Sequence, residues 1–196
     1  MDLYDFLRPF ASTIFKILFH LEVKGKQFLP KKGGFILASN HASNLDPVVL
    51  GVATPKRLSF MAKEELFLNP LFGFIIHILG AFPVKRGSPD LSAIKEAIRR
   101  LEREDCLVIF PQGRRSSENL EASAGVGFLA IKTKVPVIPV YIKGTDKILP
   151  KGKKTVSIGK IKVKFGNPII LKEKGGKSYQ DIAEQIMVDI GRLACV

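Results

Sequence analysis

The feature that most constrains this chain is a rhythm of short apolar runs at 34–38, 58–61, 81–84, 106–110 and 137–142. Each is four to six residues long, almost free of charge, and separated from the next by stretches with helical spacing. Runs of that length and composition suit strands covered on both faces. Strands that alternate with helices join through crossovers, so the pattern predicts an α/β fold: a mixed, largely parallel sheet flanked by helices. The 196 residues, 46% of them hydrophobic, suffice for one such core and an appendage. The expected division is an N-terminal helical segment over 1–25 and an α/β domain over 26–196.

The clearest helix is predicted over 89–103, with Ser88 as N-cap, Pro89 in the first turn, and Leu91, Ile94, Ile98 and Leu101 on one face. Further on, 156–158 and 161–165 predict a hairpin around Gly159-Lys160, and Ser178 caps a last amphipathic helix through Leu193.

Residues 3–23 read as a helix with two sides. Asp2, Asp5, Arg8, Ser12, Lys16 and His20 gather on one, and Leu3, Phe6, Leu7, Phe10, Ile14, Phe15, Ile17, Leu18 and Leu21 fill a broad arc on the other. An arc that wide fits a helix lying in the headgroup boundary of a membrane, or one packed on its own domain. A second stretch, 66–84, runs nineteen residues without a formal charge. Asn69-Pro70, Gly73, Gly80 and Pro83 divide it, so a buried helix of about ten residues followed by a strand, with room for one face near lipid or an acyl chain, is expected rather than a membrane span.

Thirty-one Lys and Arg against eighteen Asp and Glu give +13, which points to anionic partners. Two cysteines without CxxC spacing suggest a reducing compartment and no structural zinc. The first residues lack the basic region and cleavage site of a signal peptide, which argues against export.

After the run at 34–38 comes Ser39-Asn40-His41-Ala42-Ser43-Asn44-Leu45-Asp46-Pro47. Asp46-Pro47 reads as the N-cap and first turn of a helix. It also reads as a carboxylate turned back on His41 at the carboxyl end of a strand, where crevices form in open α/β sheets. In such a dyad Asp46 fixes the imidazole tautomer and His41 takes a proton from an attacking hydroxyl. With no Gly-x-Ser-x-Gly elbow, direct attack by a substrate hydroxyl is favoured over an acyl-enzyme. His20 and His77 rate lower, the latter as a core residue. Two other strand ends carry cations, at Lys85-Arg86-Gly87 and at Gln112-Gly113-Arg114-Arg115. Each alone reads as a solvated turn; together they would converge on one crevice suited to a phosphate.

Asn40-His41-Ala-Ser-Asn-Leu-Asp46 matches the NHx4D block of the glycerolipid acyltransferases, and Gly80-Ala-Phe-Pro-Val-Lys-Arg86-Gly87 resembles their second block. Phe110-Pro-Gln-Gly-Arg-Arg115-Ser116 is similar to the third, usually Phe-Pro-Glu-Gly-Thr-Arg-Ser, and Val135-Pro-Val-Ile-Pro139-Val140 to the fourth. The blocks keep the family's order across 40–140, about half the chain, and most resemble the small bacterial PlsC-type members. The resemblance implies His41 as base, Asp46 as its partner, and Arg86 and Arg115 at the acceptor phosphate. Gln112 stands where the family has Glu and keeps the ability to hydrogen-bond an acceptor hydroxyl. Arg114 stands where Thr is usual, strengthening phosphate binding or pointing to solvent. Backbone N–H groups near Gly113 are the candidates for the oxyanion.

The expected activity is transfer of a fatty acyl group from a thioester, acyl-ACP or acyl-CoA, to the sn-2 hydroxyl of lysophosphatidic acid. No metal or resident cofactor is expected. The expected place is the cytoplasmic side of the cell membrane, peripherally bound through an anionic surface. The alternatives are an acceptor such as glycerol 3-phosphate or another lysophospholipid, and a non-catalytic basic membrane-binding module. Nucleic acid is not expected, since aromatics do not interleave with the lysines of 143–177.

Overall fold

The computed structural model describes residues 3–85, 90–113, 122–153 and 155–195. In chain order the elements are α1 (Leu3–Leu18), β1 (Glu22–Lys24), β2 (Phe35–Ser39), α2 (Asp46–Ala53), β3 (Leu58–Lys63), α3 (Pro70–Ile78) and β4 (Ala81–Val84). There follow α4 (Leu91–Glu102), β5 (Cys106–Ile109), α5 (Gly125–Thr133), β6 (Val137–Lys143), α6 (Thr145–Ile148), β7 (Lys162–Phe165) and α7 (Tyr179–Arg192). The strands form one sheet in the order β1-β7-β6-β2-β5-β3-β4. β2 to β6 run parallel, β7 is antiparallel to β6, and β1 follows the direction of β7. The expected mixed, largely parallel sheet flanked by helices is therefore what the chain builds.

Successive side chains of a strand point to opposite faces, and β2 shows what that does here. Phe35 and Leu37 join Phe15, Phe19, Val49, Leu50, Ile142 and Phe165 on one side, where α1 and α2 lie. Ile36 and Ala38 join Leu101, Leu129 and Ile186 on the other, with α4, α5 and α7. Burying Phe35, Ile36 and Leu37 completely contributes roughly 1.5–3 kcal/mol each, so the strand that delivers His41 is firmly seated.

Several local expectations give way. The first helix ends at Leu18 rather than at 23, because Glu22–Lys24 pairs with β7 as a strand of the sheet. α4 is capped by Asp90, whose side chain accepts the N–H groups of Ser92 and Ala93; Ser88 and Pro89 lie outside the described residues. Its buried stripe is Ala93, Ala97 and Leu101, with Leu91 exposed, since small residues let the helix approach the sheet closely. No hairpin forms at 156–165: β7 pairs instead with β6 and β1, both distant in sequence. Helix and strand do divide 66–84 as expected, and no helix among the described residues is long and apolar enough to cross a membrane. Yet α3 is not buried. Only Gly73 is, while Leu68 just before it and Leu71 and Phe74 within it are 77, 71 and 64% exposed. His77 is correspondingly an exposed residue rather than a core one. The capping box at Ser178 is present as read, with α7 running to Arg192.

Candidate active site

Parallel strands β2, β5 and β6 end at one edge of the sheet, and the chain leaving each of them meets there. β2 hands over to Asn40 and His41, β5 to Phe110 and Gln112, and β6 supplies Ile142. Asn40 locks this edge. Its amide nitrogen donates to the Ile142 carbonyl and its amide oxygen accepts the Ile142 N–H, both at 2.8 Å, continuing the β2–β6 ladder through a side chain.

His41 Nδ1 and Asp46 Oδ2 are 2.8 Å apart. Oδ2 also accepts the N–H groups of Ala42 at 2.7 Å and Ser43 at 2.8 Å. Asp46 is fully buried and sits in the first turn of α2, where the unpaired N–H groups add partial positive charge. The cap reading of this residue is corrected: Leu45 holds the N-cap position without a side-chain bond, and the Asp46 carboxylate turns back onto the preceding loop. Pro47 behind it makes that turn cheap, since a residue at this position has no helical acceptor to lose. An ionised carboxylate only accepts, so Nδ1 carries the ring proton and Nε2 keeps a lone pair.

Two further contacts hold the histidine. The Phe110 ring stacks on the imidazole with centroids 4.1 Å apart and planes inclined by 20°. Gln112 Oε1 accepts the His41 backbone N–H at 3.2 Å. The side chain expected to contact an acceptor hydroxyl is thus tied, through its oxygen, to the loop that carries His41. A glutamate would accept that same N–H, so the departure from Glu leaves this contact possible. Gly113, at φ +65°, uses its own N–H on the Phe110 carbonyl at 2.9 Å, which removes that group from the oxyanion candidates. Arg86, Arg114 and Arg115 lie outside the described residues. The two ends of the stretch carrying Arg86 are clipped by one side chain: Asp90 accepts the Lys85 N–H at 2.8 Å as well as capping α4. Those N–H donors, Lys85 first, hold the Asp90 carboxyl well below the usual carboxylate range.

Asn40, Phe110 and Asp90 are the site residues that pattern reading passed over. Asn40 and Phe110 open the first and third sequence blocks, next to residues whose chemistry was obvious. Asp90 was hidden by a competing Ser-Pro cap signal two residues upstream. Neither thiol offers a rival nucleophile beside the dyad: burial at the far end of β5 pushes Cys106 well up, and Cys195 follows α7 near the end of the chain.

The family profile described as Acyltransferase matches residues 20–143. A 1-acyl-sn-glycerol-3-phosphate acyltransferase of Bacillus subtilis (strain 168) is 33% identical over 168 residues, covering 85% of this chain and 82% of its own length. One of Streptococcus pneumoniae (strain ATCC BAA-255 / R6) is 36% identical over 164 residues, which are 81% of this chain and 60% of that relative. The crystal structure of the 1-acyl-sn-glycerophosphate acyltransferase PlsC from Thermotoga maritima aligns with a TM-score of 0.82 at 29% identity, covering 97% of this chain and 77% of that one. The edge that joins His41 to Asp46 therefore belongs to a scaffold already known from proteins of one kind, and the chain is a member of the acyltransferase family.

Proposed function

We propose that the chain transfers a fatty acyl group from an acyl thioester to the sn-2 hydroxyl of lysophosphatidic acid, giving phosphatidic acid. The observation that carries this reading is the 2.8 Å contact between His41 Nδ1 and buried Asp46 Oδ2, which leaves Nε2 basic at the ligand-binding edge. Nε2 takes the hydroxyl proton as the oxygen attacks the thioester carbonyl. The tetrahedral intermediate collapses by breaking the C–S bond, and the imidazolium returns its proton to the leaving thiolate. Asp46 keeps the ring oriented and stabilises its charged form. No covalent acyl-enzyme enters, in keeping with the buried state of Cys106. The names of the Bacillus, Streptococcus and Thermotoga relatives support the acceptor, and Arg86, Arg114 and Arg115 are the residues assigned to its phosphate.

The reading places the protein on the cytoplasmic face of the cell membrane, held peripherally by α1. The outer side of that helix leaves Phe6, Phe10, Ile14, Ile17 and Leu18 exposed, while Phe15 packs inward. Mixing the chain with an acyl thioester and lysophosphatidate, with free thiol and product mass followed together, tests the activity. Thiol release that depends on lysophosphatidate and yields phosphatidate is expected. Release with glycerol 3-phosphate alone would replace the acceptor, and no release with any acceptor would sink the reading.

A further inference from the structure

On the flank of β2 away from β5, the sheet carries an unusual set of charges. Register aligns Lys143, Lys162 and Glu22 in one row across β6, β7 and β1, and Tyr141, Lys164 and Lys24 in another. Lysine therefore sits directly beside lysine twice, at 143/162 and at 164/24, an arrangement that destabilises a sheet unless something negative offsets it. Glu22 supplies one charge, 2.5 Å from Lys160 and 3.8 Å from Lys162. The Lys164 ammonium lies buried in a 140 Å³ depression among these residues and finds no hydrogen-bond partner among the described residues. A buried, unpartnered cation is costly, and this one points to an anion that arrives with a ligand.

The place of these rows decides what that ligand is. Lys143 follows Ile142, the residue clamped by Asn40 beside His41, so the first row lies one to three strands, roughly 5–15 Å, from the catalytic edge. β4 and β5, which precede in sequence the cations assigned to the acceptor, lie on the other flank of β2. The lysine rows also face away from the bilayer helix: Ile142 and Val163, which alternate with them, point to the side where Phe15 and Phe19 of α1 pack. A membrane at α1 leaves the lysines toward solvent. A depression of 140 Å³ is small against the ~300–1,000 Å³ of a small-molecule pocket, and lysines lack the fork by which arginine grips phosphate. A broad acidic protein surface suits spaced, mobile ammonium groups better than a nucleotide does.

We infer that the face formed by Lys24, Lys143, Lys162 and Lys164 docks an acidic carrier protein that presents the acyl thioester to His41. This rests on the acyltransferase reading and assigns its donor side. The test compares the parent chain with a Lys24→Gln/Lys143→Gln/Lys162→Gln variant and with Glu22→Gln, using palmitoyl thioesters of an acidic acyl carrier protein and of coenzyme A on lysophosphatidate. KM for the carrier thioester rises at least ten-fold in the triple variant and falls in Glu22→Gln, each effect shrinking in high salt, while KM for the coenzyme A thioester changes less than two-fold. Parallel rises for both donors would make this a nucleotide site and overturn the inference, as would an unchanged carrier KM. If the parent chain transfers from neither donor, the acyltransferase reading fails instead. Docking is then judged by titrating labelled carrier protein onto parent and triple variant, where equal Kd values overturn it.

Discussion

At the scale of single residues, the site is organised around one carboxylate oxygen. Asp46 Oδ2 accepts from the imidazole and from two backbone N–H groups, so it orients the ring and holds the loop that carries it. The two duties separate under substitution. His41→Ala is expected to lose ~10²–10⁴ in turnover, the usual reach of a general base, with an unchanged unfolding midpoint. Asp46→Ala is expected to lose activity as well and, by leaving the N–H groups of Ala42 and Ser43 without an acceptor, to cost roughly 1–3 kcal/mol or more of stability. Lysophosphatidate-dependent thiol release and thermal unfolding of the same samples check both. Equal stability losses would mean that His41 also supports the loop. Gln112 gives a finer test, because its oxygen serves the His41 N–H. Gln112→Glu is expected to keep stability and most activity, whereas Gln112→Leu orphans that N–H and drops turnover along with stability. The dyad was legible in the sequence because five-residue spacing after a strand is a local arrangement. The Gln112 contact was not, since 71 residues separate the partners and only sheet order brings them together.

Among the elements, local signals succeeded where the partner was local. Ser178 and Asp181 are three residues apart, and their reciprocal cap formed as read. The hairpin at 156–165 failed for the opposite reason: β7 draws its neighbours from 140–143 and 22–24, which no nearby turn announces. α3 failed differently, because hydropathy records a preference to leave water without saying what will cover the helix. α4 joins the two kinds of case, since its cap also spans the stretch with Arg86, and it carries a pH signature. The Lys85 N–H holds the Asp90 carboxyl well below its ordinary value, and the Arg99 and Arg100 guanidiniums lower Glu96 to about 2 from 4.5. Folded-state values below the unfolded ones mean stabilisation that is complete above about pH 4.5 and lost as pH falls toward 2. The unfolding temperature should drop across that window. Glu96→Gln should shallow the drop by roughly 0.5–1 kcal/mol at most, because solvent screens the pair, and by less in high salt. A drop unaltered by Glu96→Gln would place the acid sensitivity elsewhere.

Across the whole molecule, the two faces of the sheet divide the work. α2 packs with α1 on one face of the sheet, and α1 and α3 both leave large apolar residues exposed. α4, α5 and α7 close the other side with ordinary polar exteriors, and the lysine rows lie on that face. The edge that carries His41 and Asp46 stands between the layers, and on the proposed reading a lipid acceptor would come to it from one direction and a soluble donor from another. If α1 holds the protein on a bilayer, insertion of Phe6, Phe10 and Ile14 supplies an apolar share that salt does not screen, and the net +13 adds about 1 kcal/mol for each basic residue close to an anionic surface. Sedimentation with vesicles containing anionic lipid should therefore weaken at moderate salt without vanishing. Replacing Phe6, Phe10 and Ile14 together with Ser should move the protein to the supernatant at every salt concentration, while turnover of a short-chain, water-soluble thioester persists. Triple-variant protein that still pellets with vesicles would shift the anchor to α3, whose Leu71 and Phe74 are then the residues to replace.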